Sequence, residues 1–121
     1  MSCKKFKYEV SKRMEIAGAH RLDLPYESKC ENLHGHNWIV TVFVGSNDLD
    51  HGMVIDFTHI KRQIHDRLDH AFLNDLFVFN PSAENIAKWI CDEVNKMREG
   101  AVCYRVTVQE SEGNTATYNN I

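Results

Sequence analysis

Hydrophobic and polar residues alternate along two early stretches of the chain, which is the period of a half-buried β-strand. The first stretch covers residues 5–20 and the second residues 36–45, and the polar loop of residues 23–32 separates them. Lys12 and Gly18 interrupt the apolar face of the first stretch. Alternation returns at 102–110 and briefly at 115–118, on either side of a turn at 112–114. The pattern therefore predicts four strands, and in the third it places Val102, Tyr104, Val106, Val108 and Glu110 on one face.

The middle of the chain has the spacing of amphipathic helices. Asp56 is a good N-cap for a first helix, whose apolar residues are Phe57, Ile60, Ile64 and Leu68. Residues 68–75 follow as the end of this helix or as a loop. A second helix opens at residues 80–82, where proline suits the first turn and either Ser82 or Asn80 can cap. Gly100 ends this helix, and its apolar stripe is Ile86, Ile90, Val94 and Met97.

The order of these elements is ββααββ, an α+β arrangement in which two helices cover one face of a four-stranded antiparallel sheet. At 121 residues the chain is long enough for a single domain, which we take to span 1–121. Two helices leave the other face of the sheet without cover. Since uncovered sheet surfaces and edges tend to pair, we predict self-association through the face that carries Ile39, Thr41, Phe43 and Arg105.

Composition narrows the class of protein. Apolar residues make up 43% and charged residues 26% of the chain, as in a soluble globular domain. A formal net charge of -3 gives no electrostatic case for binding nucleic acid or an anionic membrane. No apolar run approaches the roughly 20 residues that span a bilayer, and no apolar signal region follows the N-terminus. We expect a cytoplasmic protein.

Three histidines form the strongest chemical signal. His34 and His36 are separated only by Gly35, and His20 ends the first predicted strand. Successive strand residues face opposite ways, so His34 and His36 share a face if the second strand begins by His34. Antiparallel pairing of the two strands then brings His20 opposite them. Three neutral imidazoles with an open fourth position are typical of a catalytic zinc site.

The four cysteines form no Cys-x-x-Cys pair, which favours reduced thiols in a cytoplasmic protein. Cys91 and Cys103 fall inside apolar patterns, where a thiol acts as a small hydrophobic group. Cys30 instead lies in the polar loop, four residues before His34. We predict a chemical role for Cys30 because environment controls the reactivity of thiols.

Two further positions carry candidate acid or base groups. Asp69 precedes His70 directly, and a carboxylate that contacts an imidazole fixes its tautomer and raises its basicity. Sequence adjacency does not establish that contact, and a solvated helix end is the alternative. Glu110 occupies the apolar parity of its strand, where a carboxylate either pairs with an arginine or recognises N–H donors. We interpret His51, His59 and His65 as ordinary polar residues.

These motifs together resemble the 6-pyruvoyl-tetrahydropterin synthase superfamily. The resemblance spans nearly the whole chain in order and is carried by Ala19-His20-Arg21, Cys30-x-x-x-His34-Gly35-His36, Val54-Ile55-Asp56-Phe57, Leu68-Asp69-His70, Leu73-Asn74, Asn80-Pro81-Ser82-Ala83-Glu84-Asn85 and Val108-Gln109-Glu110. The short gap between Cys30 and His34 is similar to that of the branch that forms 6-carboxy-5,6,7,8-tetrahydropterin for queuosine and 7-deazaguanine synthesis.

The resemblance implies the tunnelling fold, in which trimers close a barrel from their sheets and stack as hexamers. It also implies conversion of 7,8-dihydroneopterin triphosphate to 6-carboxytetrahydropterin, with release of acetaldehyde and triphosphate. Zn²⁺ would be held by His20, His34 and His36. Cys30 would move protons of the substrate side chain, with Asp69 and His70 as the partner acid and base.

For the substrate ring, the resemblance implies that Glu110 anchors the pterin and that Ser82 assists. The alternatives are a 6-pyruvoyl-tetrahydropterin synthase, a related pterin aldolase or epimerase, and a non-catalytic, zinc-stabilised pterin-binding protein. Ile16 and Gly18 depart from the residues usual in the family. The sequence does not select the triphosphate ligands among Lys12, Arg13, Arg21 and Lys29.

Overall fold

The computed structural model describes residues 6–29 and 32–121. Its strands are β1 (Tyr8–His20), β2 (His34–Ser46), β3 (Ala71–Phe72), β4 (Val102–Ser111) and β5 (Asn114–Asn119). They form one sheet in the order β3-β1-β2-β4-β5, in which β3 runs parallel to β1 and the other neighbours are antiparallel. The α+β prediction is confirmed, and so is the condition that β2 begins by His34.

Three helical segments connect these strands. Helix α1 covers residues 57–68 and consists of Phe57–Ile60, a π-helical turn at Lys61–His65, and Asp66–Leu68. The short helix α2 is Leu73–Leu76, and helix α3 is Ala83–Val94. Both predicted caps are present, because Asp56 accepts the Thr58 N–H at 2.9 Å and Ser82 accepts the Asn85 N–H at 3.2 Å. Among the described residues, no helix combines the length and apolar character needed to cross a membrane.

The sheet has one strand more than the sequence predicts. Strand β3 lies within residues 68–75, for which the sequence pattern predicted a helix end or a loop. It pairs with β1, with Gly18 opposite Ala71 and Ala19 opposite Phe72. Residues 69 and 70, just before β3, form hydrogen bonds with Ala17 of β1. The local sequence pattern does not predict such a contact between distant residues.

A β-bulge changes the predicted parity of β4. Phe43 pairs with Arg105 but Val44 pairs with Cys103, so Tyr104 is the extra residue. The prediction that Val102 and Tyr104 share the buried face is therefore wrong: Cys103 is buried, whereas Val102 and Tyr104 are half-buried. Beyond the bulge the predicted parity holds.

The core lies between one face of the sheet and the helices. Val40, Val42 and Val44 of β2 are buried, whereas the intervening Ile39, Thr41 and Phe43 are only half-buried. Arg105, on the same side as Phe43, is exposed. The sheet therefore has one well-covered face and one accessible face, as predicted. Buried core residues from both layers include Ile16, Trp38, Ile60, Ile64, Ile90 and Val106.

Candidate metal centre and acid–base pair

The register of β1 and β2 brings the predicted metal ligands to one end of the sheet. His20 pairs directly with His34, and Gly18 pairs with His36. The predicted convergence of these positions is confirmed for the backbone. The side chain of His34 and all of Cys30 lie outside the described residues, so the roles of both stay predictions.

Glu110 completes a cluster with two of the histidines. The Nε2 atom of His20 lies 3.4 Å from Oε2 of Glu110, and Nε2 of His36 lies 3.6 Å from Oε1. The ligand atoms of these three side chains all lie within 4.8 Å of one another. His20 is fully buried, and the side chains of His36 and Glu110 are 19% and 25% exposed. The cluster is thus largely withdrawn from solvent.

The tautomer of His20 follows from its contact with Pro81. Its Nδ1 lies 2.7 Å from the Pro81 carbonyl oxygen. A carbonyl oxygen only accepts, so Nδ1 carries the proton and donates it. In the neutral ring, Nε2 then presents a lone pair toward Glu110. A second hydrogen bond of this kind is how proteins orient imidazoles that bind metals.

The cluster has a donor set that a divalent metal such as zinc accepts. Ligand atoms on a tetrahedral zinc with bonds of about 2.0–2.1 Å lie about 3.3 Å apart. The separations of 3.4 and 3.6 Å are close to that value. A cation between the Nε2 lone pair of His20 and the Glu110 carboxylate also relieves their repulsion. The residues present therefore fit a divalent metal, with Glu110 as a candidate ligand that the sequence analysis did not assign to the metal.

Trp38 packs against both imidazoles of the cluster. Its ring lies edge-on to His20 at 4.8 Å and to His36 at 5.3 Å between centroids. Its indole N–H donates to the Gly18 carbonyl at 3.2 Å, which fixes the ring that the histidines contact. A side chain added at Gly18 would be at ordinary contact distance, 3.5 Å, from Trp38. The space at Gly18 thus accommodates a Cβ atom, and Ile16, the other departure from the family pattern, is a core residue.

Glu110 also borders a surface depression of about 380 Å³. It lies at an irregularity in the β4–β5 pairing, between Gln109 and Ser111. Glu84, in the first turn of α3, lines the same depression. Two carboxylates therefore face this space, and within the described residues the ion-pair partners of Glu110 are imidazoles rather than an arginine.

Ser82 precedes Ala83, which lines this depression, and caps helix α3. Its hydroxyl oxygen accepts the Asn85 N–H at the start of α3, and its neighbour Pro81 holds His20. The predicted contact of Ser82 with the substrate ring stays a prediction.

Asp69 and His70 do contact each other. Nε2 of His70 lies 3.4 Å from Oδ2 of Asp69, while Oδ1 of Asp69 accepts the Ala17 N–H at 2.9 Å. The His70 N–H donates to the Ala17 carbonyl, so both residues are tied to β1. His70 has a φ of 58°, an uncommon conformation for a residue with a side chain, and its side chain is 83% exposed. The Asp69 carboxylate and the His70 N–H hold the pair on β1, and the His70 imidazole is accessible.

A single depression adjoins both groups. It has a volume of about 430 Å³, is lined by His36 and His70, and has small residues, Gly18, Ala19 and Gly35, along its floor. One residue of the metal cluster and one of the acid–base pair are therefore among the residues that line it.

Comparison with known proteins defines the family. The family described as 6-pyruvoyl tetrahydropterin synthase matches residues 9–120, and the chain belongs to it. The chain is 29% identical to the 6-carboxy-5,6,7,8-tetrahydropterin synthase of Bacillus subtilis, over 93% of this chain and 86% of that protein. It is 32% identical to the 6-pyruvoyl tetrahydrobiopterin synthase of Homo sapiens, over 91% of this chain and 90% of that protein.

Solved structures confirm the fold. The 6-pyruvoyl tetrahydropterin synthase of Caenorhabditis elegans superposes with a TM-score of 0.74 at 27% identity, covering 94% of this chain and 96% of that one. The tunnelling fold implied by the sequence resemblance is thus the fold of this chain.

Proposed function

We propose that this protein converts 7,8-dihydroneopterin triphosphate and water to 6-carboxy-5,6,7,8-tetrahydropterin, acetaldehyde and triphosphate, in the synthesis of queuosine and other 7-deazaguanines. The observation that carries the proposal is the single depression bordered by His36 of the metal cluster and by His70 of the acid–base pair. The name of the Bacillus subtilis relative and the short Cys30 to His34 interval support the carboxy-forming branch.

We propose His20, His34 and His36 as the metal ligands and Zn²⁺ as the metal. Bound zinc supplies Lewis-acid chemistry that lowers the pKa of the hydroxyl groups on the substrate side chain. His20 is prepared for this task, because Pro81 fixes its proton on Nδ1 and Trp38 holds its ring. Glu110 borders both the cluster and the adjoining depression, which suits a residue that binds the substrate.

Proton transfer is assigned to the pair Asp69 and His70 and to Cys30. Asp69 faces Nε2 of His70, which favours the tautomer with its proton on that nitrogen and leaves Nδ1 as the base. Cys30 is the proposed thiolate that exchanges protons with the substrate side chain, and Ser82 is proposed to assist at the ring. The accessible sheet face supports assembly of trimers that pair as hexamers, and we propose a cytoplasmic, single-domain enzyme.

Product analysis tests the proposal. Metal-loaded protein is incubated with dihydroneopterin triphosphate, and mass spectrometry is expected to show carboxytetrahydropterin and acetaldehyde. Pyruvoyl-tetrahydropterin as the sole product would replace the proposal with the second candidate, which the name of the human relative favours. Cys30→Ala separates both from a non-catalytic binding protein: we expect turnover to be lost while the metal is retained.

A further inference from the structure

His65 is placed to act on the acid–base pair, although its sequence position suggested an ordinary polar residue. It lies one helical turn before Asp69, where side chains at i and i+4 are neighbours. The Asp69 N–H donates to the His65 carbonyl at 2.8 Å, which fixes the relative positions of the two residues. The His65 side chain is only 24% exposed, the same fraction as that of Asp69.

The two carboxylate oxygens of Asp69 contact three groups, which are one backbone N–H and two imidazoles. Its Oδ1 accepts the Ala17 N–H, while its Oδ2 lies 3.4 Å from Nε2 of His70 and 3.9 Å from Nε2 of His65. Rotation of the carboxylate about its Cβ–Cγ bond would carry Oδ1 away from Ala17 and Oδ2 away from both imidazoles. His65 therefore adds to the contacts that keep Oδ2 facing His70.

His65 is itself held from the side away from Asp69. Its Nδ1 lies 3.0 Å from Oδ1 of Asp66, and the same oxygen receives Nζ of Lys61 at 2.8 Å. Hydrogen bonds from Lys61 and His65 lower the pKa of the Asp66 carboxyl, which keeps it an acceptor. In its imidazolium form, His65 donates from Nδ1 to Asp66 and directs the Nε2 proton toward Asp69.

We infer that His65 is a positioning residue, which acts through Asp69 to hold His70 in the geometry needed for proton transfer. The inference rests on the proposed function for the catalytic role of His70, whereas the placement of Asp69 and His70 by His65 is independent of the reaction. His65 belongs to a relay of side chains, Asp66, His65, Asp69 and His70, that runs from the π-helical turn of α1 to the rim of the depression.

His59 offers a matched control on the same helix. Its Nε2 also lies near a carboxylate, 3.7 Å from Oδ2 of Asp56, but it is 52% exposed and its ion-pair partner among the described residues is not Asp69. His59→Leu removes an imidazole from α1 without touching the relay.

Steady-state kinetics test the inference in the wild-type protein and in protein that carries Asp69→Asn. His65→Leu is expected to lower kcat about 3- to 10-fold with KM nearly unchanged, the size of a contact between neighbouring side chains. His65→Gln, which keeps a donor, is expected to recover part of the loss, and His59→Leu to cause none. In protein that carries Asp69→Asn, His65→Leu is expected to have no further effect. An unchanged kcat in His65→Leu, or an equal loss in the Asp69→Asn background, would overturn the inference.

A measurement that does not depend on catalytic activity distinguishes failure of the positioning role from failure of the proposed function. Nitrogen-15 NMR of labelled histidines reports which ring nitrogen of neutral His70 carries the proton. We expect the fraction with the proton on Nε2 to fall in both His65→Leu and Asp69→Asn, and to stay constant in His59→Leu. If the wild type forms no carboxytetrahydropterin but this pattern appears, the proposed function fails and the positioning role stands. If the tautomer ratio of His70 is the same in all four proteins, the positioning role fails.

Discussion

The metal cluster and the acid–base pair border the same depression but are built in different ways. His20 is fully buried and lies on a regular strand, whereas the His70 side chain is 83% exposed and its backbone has a positive φ. Strand register and side-chain alternation bring the residues of the metal cluster together. Hydrogen bonds to Ala17 position the acid–base pair, which lies at the junction of a helix and a two-residue strand.

This difference predicts a division between stability and chemistry. A buried imidazole that donates to a carbonyl and packs on Trp38 contributes to folding as well as to metal binding. An exposed imidazole contributes little to packing, so its replacement changes turnover alone. Substitutions in the two groups therefore test whether the division holds.

The largest effect is expected from His20→Ala. The substitution leaves a cavity beside Trp38 and removes the donor to the Pro81 carbonyl, so the free energy of unfolding should fall by about 2–4 kcal/mol. The protein should also lose its metal on dialysis. Denaturant unfolding and elemental analysis measure the two effects.

His51→Asn is the control for that substitution, because the His51 side chain is 87% exposed, contacts only Asp50 among the ion pairs of the described residues, and has a φ of 52° that asparagine tolerates. It should retain metal and change the free energy of unfolding by at most about 0.5 kcal/mol. Full metal content in His20→Ala would refute the assignment of His20 as a ligand.

His70→Asn should give the clearest separation of chemistry from folding. Asparagine tolerates the positive φ of this position but does not serve as the base. We expect kcat to fall about 100- to 10,000-fold, the usual contribution of a general acid or base. Metal content and the unfolding midpoint should match the wild type. Loss of metal in this variant would mean that the two groups are not separate.

The smallest effect is expected at Glu93 on α3, whose ion-pair partners among the described residues belong to neither group. Its carboxylate receives Lys96 at 2.6 Å and Arg67 at 3.0 Å, and these contacts, led by Lys96, lower its pKa from the usual 4.5. A carboxyl whose pKa is lowered by folding stabilises the protein above its ordinary pKa, and that contribution is lost as the pH falls through the folded value.

Glu93→Gln should therefore cost about 0.5 kcal/mol or less at neutral pH, as other accessible ion pairs do. The difference between the variant and the wild type should shrink as the pH is lowered well below 4.5. Unfolding measured across that range checks the sign. A difference that grows at low pH would contradict the stated origin of the pKa change.

The contrast between the metal cluster and the acid–base pair also explains which features the sequence predicted well. Strand alternation and the position of His34 were sufficient to predict that His20 and His36 meet, because antiparallel pairing of neighbouring strands is a local event. The Asp56 and Ser82 caps were likewise visible in the sequence, since a capping residue acts within its own helical turn.

Features that depend on distant contacts were missed. The bulge at Tyr104 exists only where β4 pairs with β2, and it reverses the parity of Val102. The contact of Asp69 with Ala17 joins residues 52 positions apart, and no periodicity in the chain reports it. Glu110 was identified from its parity on β4, but its place between two imidazoles required the fold.

X-ray absorption at the zinc edge of the metal-loaded protein tests the central claim most directly. The account predicts nitrogen or oxygen neighbours at about 2.0–2.1 Å and no sulfur, because Cys30 stays available for proton transfer. His20→Ala should abolish that spectrum and His70→Asn should preserve it. A sulfur neighbour at about 2.3 Å would show that Cys30 is a permanent ligand, and would contradict the account in favour of a closed, structural zinc site.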